Sequence, residues 1–220
     1  MSIQDRLQRQ SLLFLFDVGS VRIRSTLTAH YGKDEMVVVV KEAREEFSVL
    51  IPELPDIGGW RNPHTQFIVA AALFLALYRV LKAHGRSADE VGALILEAVT
   101  KYSSQLGAMV RLFAPIQRKL FGSEFARRLA LVSQRRRYQN DFVCAYVEGA
   151  GTNFEYGFDY VECGIHKFLH MQHADEFTQY MCRLDYPYAE AMGYELIRTS
   201  TIAENGLKCD FRYKKLRTQS

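Results

Sequence analysis

At Asp141 the apolar pattern of this chain changes period, and that change limits the architectures open to it. Upstream, apolar residues recur at helical spacing. Downstream they alternate, as strands require, with turn residues between the runs. Helices segregated from a set of hairpins predict an α+β protein, with a helical N-terminal part packed on a small antiparallel sheet. The division falls into a helical region, 1–140, and an α+β region, 141–220, joined in one compact unit.

In the first region, Asp34 is a candidate N-cap for a helix over Val37–Leu50. Glu53–Arg61, with Pro55 and Gly58-Gly59, reads as a loop. Asn62-Pro63 reads as a cap followed by proline at the first helical position. The helix after it carries Phe67, Ala70, Phe74 and Leu77 on one face and ends near His84-Gly85. Its apolar run, 67–81, holds Tyr78 and Arg79. At 15 residues it falls short of the ~20 that cross a bilayer. It is expected to be a buried core helix, so no membrane span is expected. Ser87-Ala88-Asp89-Glu90 is a capping box opening a helix to about Ser103. A basic helix follows over roughly Met109–Arg137, with an interruption near Gly122.

In the second region, 142–148 alternates as a strand, 149–153 is a turn, and 154–163 is the next strand. Two helices, 164–173 and 176–191, precede strands 195–202 and 207–214. Asn205-Gly206 is the hairpin signal between those strands. The order is β-β-α-α-β-β.

Composition enters where it excludes classes. With 48% hydrophobic and 24% charged residues, the chain has the means for a core, which removes disordered and collagen-like readings. The apolar run Leu12–Phe16 is too short for a secretory leader. The four cysteines, Cys144, Cys163, Cys182 and Cys209, show no CxxC spacing, so four free thiols in the cytoplasm are expected. The net charge of +3 hides a basic segment. Eight Lys and Arg and one acid between Arg111 and Tyr138 give +7 there, leaving +3 − 7 = −4 elsewhere. Amphipathic spacing of Leu112, Ile116, Leu120, Phe125, Leu129 and Val132 accounts for it as a packed helix with a cationic outer face. Nucleic acid or an acidic membrane is the weaker reading. No GxGxxG, GxxxxGK[ST], GxSxG or HExxH occurs.

Chemistry-bearing residues gather in the last sixty positions. Cys163 ends a strand and opens a helix, where the helix dipole would favour its thiolate. Cys182 and Asp185 share a helical face. A carboxylate beside a thiol raises the thiol pKa, so Asp185 suits a base acting on water better than a thiol activator. In Cys209-Asp210-Phe211-Arg212, period 2 places Cys209 and Phe211 on one face, and Asp210 and Arg212 on the other. Pairing around Asn205-Gly206 puts Arg198 diagonal to Arg212. His166, His170 and His173 line a helical stripe that could hold a divalent ion or be a solvated face.

The spaced set Glu162-Cys163, Glu176, Tyr180 to Tyr186, Gly193, Arg198, Thr201, Gly206 and Cys209 to Arg212 resembles the L-2-amino-thiazoline-4-carboxylic acid hydrolase family. Glu204-Asn205, where small residues are expected, and Pro187, after Asp185, depart from its pattern. The resemblance implies opening of a small cyclic C=N substrate by water, giving a carbamoyl-cysteine on a bacterial route of cysteine metabolism. It implies Cys163, Asp185, Cys209 and Asp210 as catalytic candidates. Arg198, Arg212 and Thr201 are implied for a small-molecule carboxylate substrate, with Cys182, His166 and Glu176 completing the set. A divalent metal such as manganese is the cofactor kept in view, and a homo-oligomer is compatible with the apolar helices. The alternative is a non-catalytic small-ligand sensor or binding module.

Overall fold

The computed structural model describes residues 3–121, 123–149 and 153–216, without the side chains of 3–7 and 106–123. Helix α1, Ile3–Tyr31, and helix α2, Lys33–Leu50, are broken only at Gly32, whose φ of +85° suits glycine. That left-handed residue makes the turn, so Asp34 lies in the first turn of α2 and is not its cap. Short 3₁₀ turns at Ile51–Glu53 and Gly59–Arg61 follow. Helix α3, Thr65–Ala83, begins three residues after Asn62, whose Oδ1 accepts the His64 N–H at 2.9 Å. Asn62-Pro63-His64 is therefore a turn leading into the helix and not its first turn.

α3 is apolar enough to pass for a membrane segment by length and composition, but half of its apolar window is buried against neighbouring helices. Leu75, Ala76 and Leu81 are fully buried in one cluster with Leu27, Val39, Phe47, Val91 and Leu94. The capping box forms as expected: Ser87 Oγ accepts from Glu90 N at 3.2 Å, and Ser87 N donates to Glu90 at 2.7 Å. Helix α4 then runs unbroken over Ala88–Phe121, where the pattern predicts two helices. Helix α5, Ser123–Ser133, stops short of the predicted Arg137, and Arg136 turns with φ of +46°. The expected interruption at Gly122 and the turn residues 150–152 lie outside the described residues.

Strands β1, Val143–Glu148, and β2, Tyr156–Glu162, form the first hairpin. The predicted second helix divides, because Pro187 cannot continue a helix arriving from upstream. The result is α6, Gly164–Met171, α7, Asp175–Arg183, and α8, Asp185–Ala191, separated at Leu184. Strands β3, Tyr194–Ile197, and β4, Cys209–Lys215, complete an antiparallel sheet of order β1-β2-β4-β3. β3 and β4 are not the predicted two-residue hairpin. Ile197 pairs with Arg212, so Arg198 lies level with Phe211, and residues 198–208 form a wider loop holding a 3₁₀ turn.

The sheet register puts Cys144, Tyr156, Phe158, Tyr160, Cys209, Phe211 and Tyr213 on one face. At the β1 side, Cys144 N donates to Ser133 Oγ (3.0 Å), and its carbonyl accepts from Ser133 Oγ and Gln134 Nε2. α6 and α7 bury Phe168, Leu169 and Phe177 in the cluster of the N-terminal helices, which joins the two regions.

Candidate functional site

The site lies where β2, β4, the loop after β3 and the starts of α6 and α8 meet. Its centre is an ion pair. Arg198, with a side chain only 4% exposed, donates to Asp185 Oδ2 at 2.6 Å and to the Cys182 carbonyl at 2.9 Å. Its guanidinium also lies 5.0 Å from the Phe211 ring and 5.1 Å from the Tyr186 ring. The helix break at Leu184 makes this possible: Cys182 lies in the last turn of one helix and Asp185 opens the next, so a single cation reaches both.

Cys163, Cys182 and Cys209 surround the pair closely enough to influence one another's titration and to feel Asp185. Burial raises the Asp185 carboxyl to about 6 although Arg198 opposes the rise. Burial also pushes the Cys163 thiol up to about 12. Backbone amides of Ile165 and His166 oppose that rise without overcoming it. The expectation that the helix N-terminus would make Cys163 a thiolate is thus corrected, because desolvation outweighs the dipole. Cys182 and Cys209 are raised by the same cause, and Cys209 Sγ accepts from Ile202 N at 3.2 Å. The resting site holds three protonated thiols around one carboxylate–guanidinium pair.

The other candidates are placed elsewhere. Arg212 and Asp210 are on the opposite sheet face. Arg212 donates to Asp159 at 2.8 Å and to the Phe158 and Phe211 carbonyls, so it does not join Arg198. Asp210 accepts from Thr199 N, Thr199 Oγ1 and Ser200 N. Burial pulls its carboxyl up, but these donors hold it below its usual range. Thr201, 5% exposed, caps the 3₁₀ turn through Glu204 N and the Glu204 carboxylate. Glu176 pairs with Tyr78 and Lys82 across α3. His166 stacks on His170, and His170 pairs with Asp175 at 2.8 Å. Among the described residues, no three His, Cys, Asp or Glu side chains gather in a way that could hold a metal ion. Thiol ligands suit softer ions than manganese, and the one carboxylate among them is already paired with Arg198.

One group beside the site has no forerunner in the sequence reading. His64 is 3% exposed, and its Nδ1 stands 3.7 Å from Asp141 Oδ1. Asn62 ties the two together, donating to Asp141 Oδ2 at 2.7 Å while accepting from His64 N. The ring lies 4.4 Å from Phe142 and 6.1 Å from Tyr160. Phe142 and Tyr160 also belong to the apolar cluster holding Cys163. The available signal was the polar run Asn62-Pro63-His64, whose long-range partner no local pattern indicates.

Comparison with known proteins gives a match to the family model described as L-2-amino-thiazoline-4-carboxylic acid hydrolase, over residues 66–213. That span contains Asp141, the three site cysteines, Asp185 and Arg198, and begins just after His64. No curated protein and no solved structure matches the chain.

Proposed function

The chain belongs to the L-2-amino-thiazoline-4-carboxylic acid hydrolase family, and on that premise we propose that it opens a small cyclic C=N substrate bearing a carboxylate. A substrate resembling L-2-amino-thiazoline-4-carboxylate gives a carbamoyl-cysteine. The observation that supports this most is the convergence of Cys163, Cys182 and Cys209 on the Asp185–Arg198 pair.

Cys163 is the nucleophile, because it is partly exposed whereas Cys209 is buried and engaged by Ile202 N–H. Its sulfur bonds to the C=N carbon, the ring C–S bond breaks, and the Cys163 proton ends on the released ring sulfur. Water then attacks the same carbon. Asp185 takes one water proton and passes it to Cys163 sulfur as that sulfur leaves, and the other water hydrogen ends on the product nitrogen. The sum is one water added and Cys163 restored. Asp185 is preferred to Asp210 as base because Asp210 is saturated by Thr199 and Ser200 on the far face. Arg198 keeps Asp185 in place and supplies the cation nearest the substrate carboxylate.

The test is mass spectrometry of L-2-amino-thiazoline-4-carboxylate incubated with the protein or with Cys163→Ser. Gain of one water with the wild type and not with the variant is expected. Equal conversion by both would remove Cys163 from the reaction. Saturable binding without conversion would favour the ligand-sensor reading.

A further inference from the structure

The scheme above leaves the carrier of the Cys163 proton unnamed, and a protonated thiol in an apolar surround does not lose its proton unaided. We propose that His64 accepts the proton from Cys163, with Asp141 and Asn62 as its positioning residues. This inference rests on the reading of Cys163 as nucleophile.

Three observations support it independently of the family match, whose span begins after His64. First, His64 is nine-tenths buried, and its Nε2 has no hydrogen-bond partner among the described residues. A buried polar nitrogen left without a partner costs about 1–3 kcal/mol, so such an atom asks for a functional explanation. Second, its other ring nitrogen faces Asp141. At 3.7 Å the carboxylate lies beyond hydrogen-bond reach of Nδ1, but its charge favours the imidazolium once the proton arrives. Asn62 sets that geometry from both sides, binding the Asp141 carboxylate and the His64 main chain. Asp141 is itself braced by the Phe142 amide at 2.7 Å. Third, His64 and Cys163 are set in the same walls. The His64 ring packs on Phe142 and meets Tyr160 edge-on, and Cys163 packs in the Phe142 cluster with Tyr160.

The charged and titratable surroundings are few. Asp141 and Tyr160 face His64, and Lys167 reaches the Asp141 carbonyl from α6. Arg61, Arg135, Arg136 and Arg137 line a surface pocket of about 300 Å³ with Asn62 and Asp141. Asp185 and Cys209 act on Cys163, which in turn acts on Cys182 and Tyr160. Asp185 is tied to Arg198, whereas the buried His64 Nε2 has no hydrogen-bond partner among the described residues.

Alkylation of Cys163 by iodoacetamide tests this without any substrate. The sulfur–carbon bond forms, iodide leaves, and the thiol proton must go to a base. Labelling of the Cys163 peptide is followed by mass spectrometry from pH 5 to pH 10. In the wild type, transfer of the thiol proton to a fixed base is expected to make the rate level off instead of climbing tenfold with each pH unit. In His64→Gln the plateau is expected to vanish, with labelling near pH 7.5 slower by about 10²-fold, the usual size of a general-base effect. Asp141→Asn, which keeps a polar side chain beside the ring, is expected to give a smaller loss. The wild-type profile stands by itself if His64→Gln fails to fold. A wild-type rate that climbs tenfold per pH unit throughout would overturn the proposal. So would a wild-type Cys163 that resists labelling, or a folded His64→Gln that labels at the wild-type rate. Loss of hydrolysis in Cys163→Ser with no change of labelling in His64→Gln would retain the nucleophile and discard its base.

Discussion

The helical layer and the sheet are built from different materials. The core under α1 to α4 is mainly aliphatic, with Leu27, Val39, Leu75, Leu81, Val91 and Leu94 almost wholly buried around a few rings such as Phe47 and Tyr78. The sheet instead presents a face of Tyr156, Phe158, Tyr160, Phe211 and Tyr213, with thiols among the rings and an ion pair above them. Aliphatic packing gives stability without specifying any reactive group. The aromatic face provides flat walls of low polarity, which move the pKa values of groups set against them. One region therefore carries the stability and the other the largest shifts in titration, and the two meet through α6 and α7.

The sharpest way to break this division is at Asp185. Asp185→Asn keeps an acceptor for Arg198 but removes the base, and turnover is expected to fall by about 10²–10⁴-fold. Wild-type turnover is expected to decline as pH drops through about 6, where Asp185 takes up its proton. Arg198 pulls that carboxyl down, so Arg198→Gln should move the midpoint upward. Initial rates across pH 4.5–8.5 check both, and a midpoint unchanged by Arg198→Gln would uncouple the pair. Next in size, Phe177→Ala removes a ring stacked 4.4 Å from Tyr78 in the joining layer. It is expected to cost about 3–5 kcal/mol in urea unfolding. If the Asp185→Asn loss merely tracked such a stability loss, the division of labour would be wrong. The smallest effect is expected at the capping box. Ser87→Ala should cost about 1 kcal/mol of stability and leave the pH profile of turnover in place.

Local patterns carried much of this fold. The α+β class, the Ser87–Glu90 cap and all four strands follow from periodicity and turn chemistry, because those signals act between near neighbours. Where distant groups decide, they do not suffice. Asn205-Gly206 reads as a two-residue hairpin turn. In the fold, Asp210 takes the Thr199 and Ser200 amides and Cys209 takes the Ile202 amide, and the chain opens into a longer loop. The basic segment reads as helical to Arg137, with an interruption near Gly122, but Ser133 bonds to Cys144 across the layer and α5 ends there. Site legibility follows the same rule. Cys163, Cys182, Asp185, Arg198 and Cys209 converge, and all were visible as residue types. Their protonation was not, since burial is a property of the assembled face. Arg212 and Asp210 were separated from the site by strand alternation once the register was known. His64 depends on a partner 77 positions away, read as Asp141 minus His64.

The way α5 meets β1 decides how copies of this chain can associate. An outermost strand ordinarily offers bare amides and carbonyls on which a foreign strand can grow. Here the outward main-chain groups of Cys144 are already taken by Ser133 and Gln134. The opposite margin is β3, only four residues long. A sheet blunted on both sides resists ribbon-like templating between molecules. A second copy adding a strand beside Cys144 would first have to displace Ser133 and Gln134.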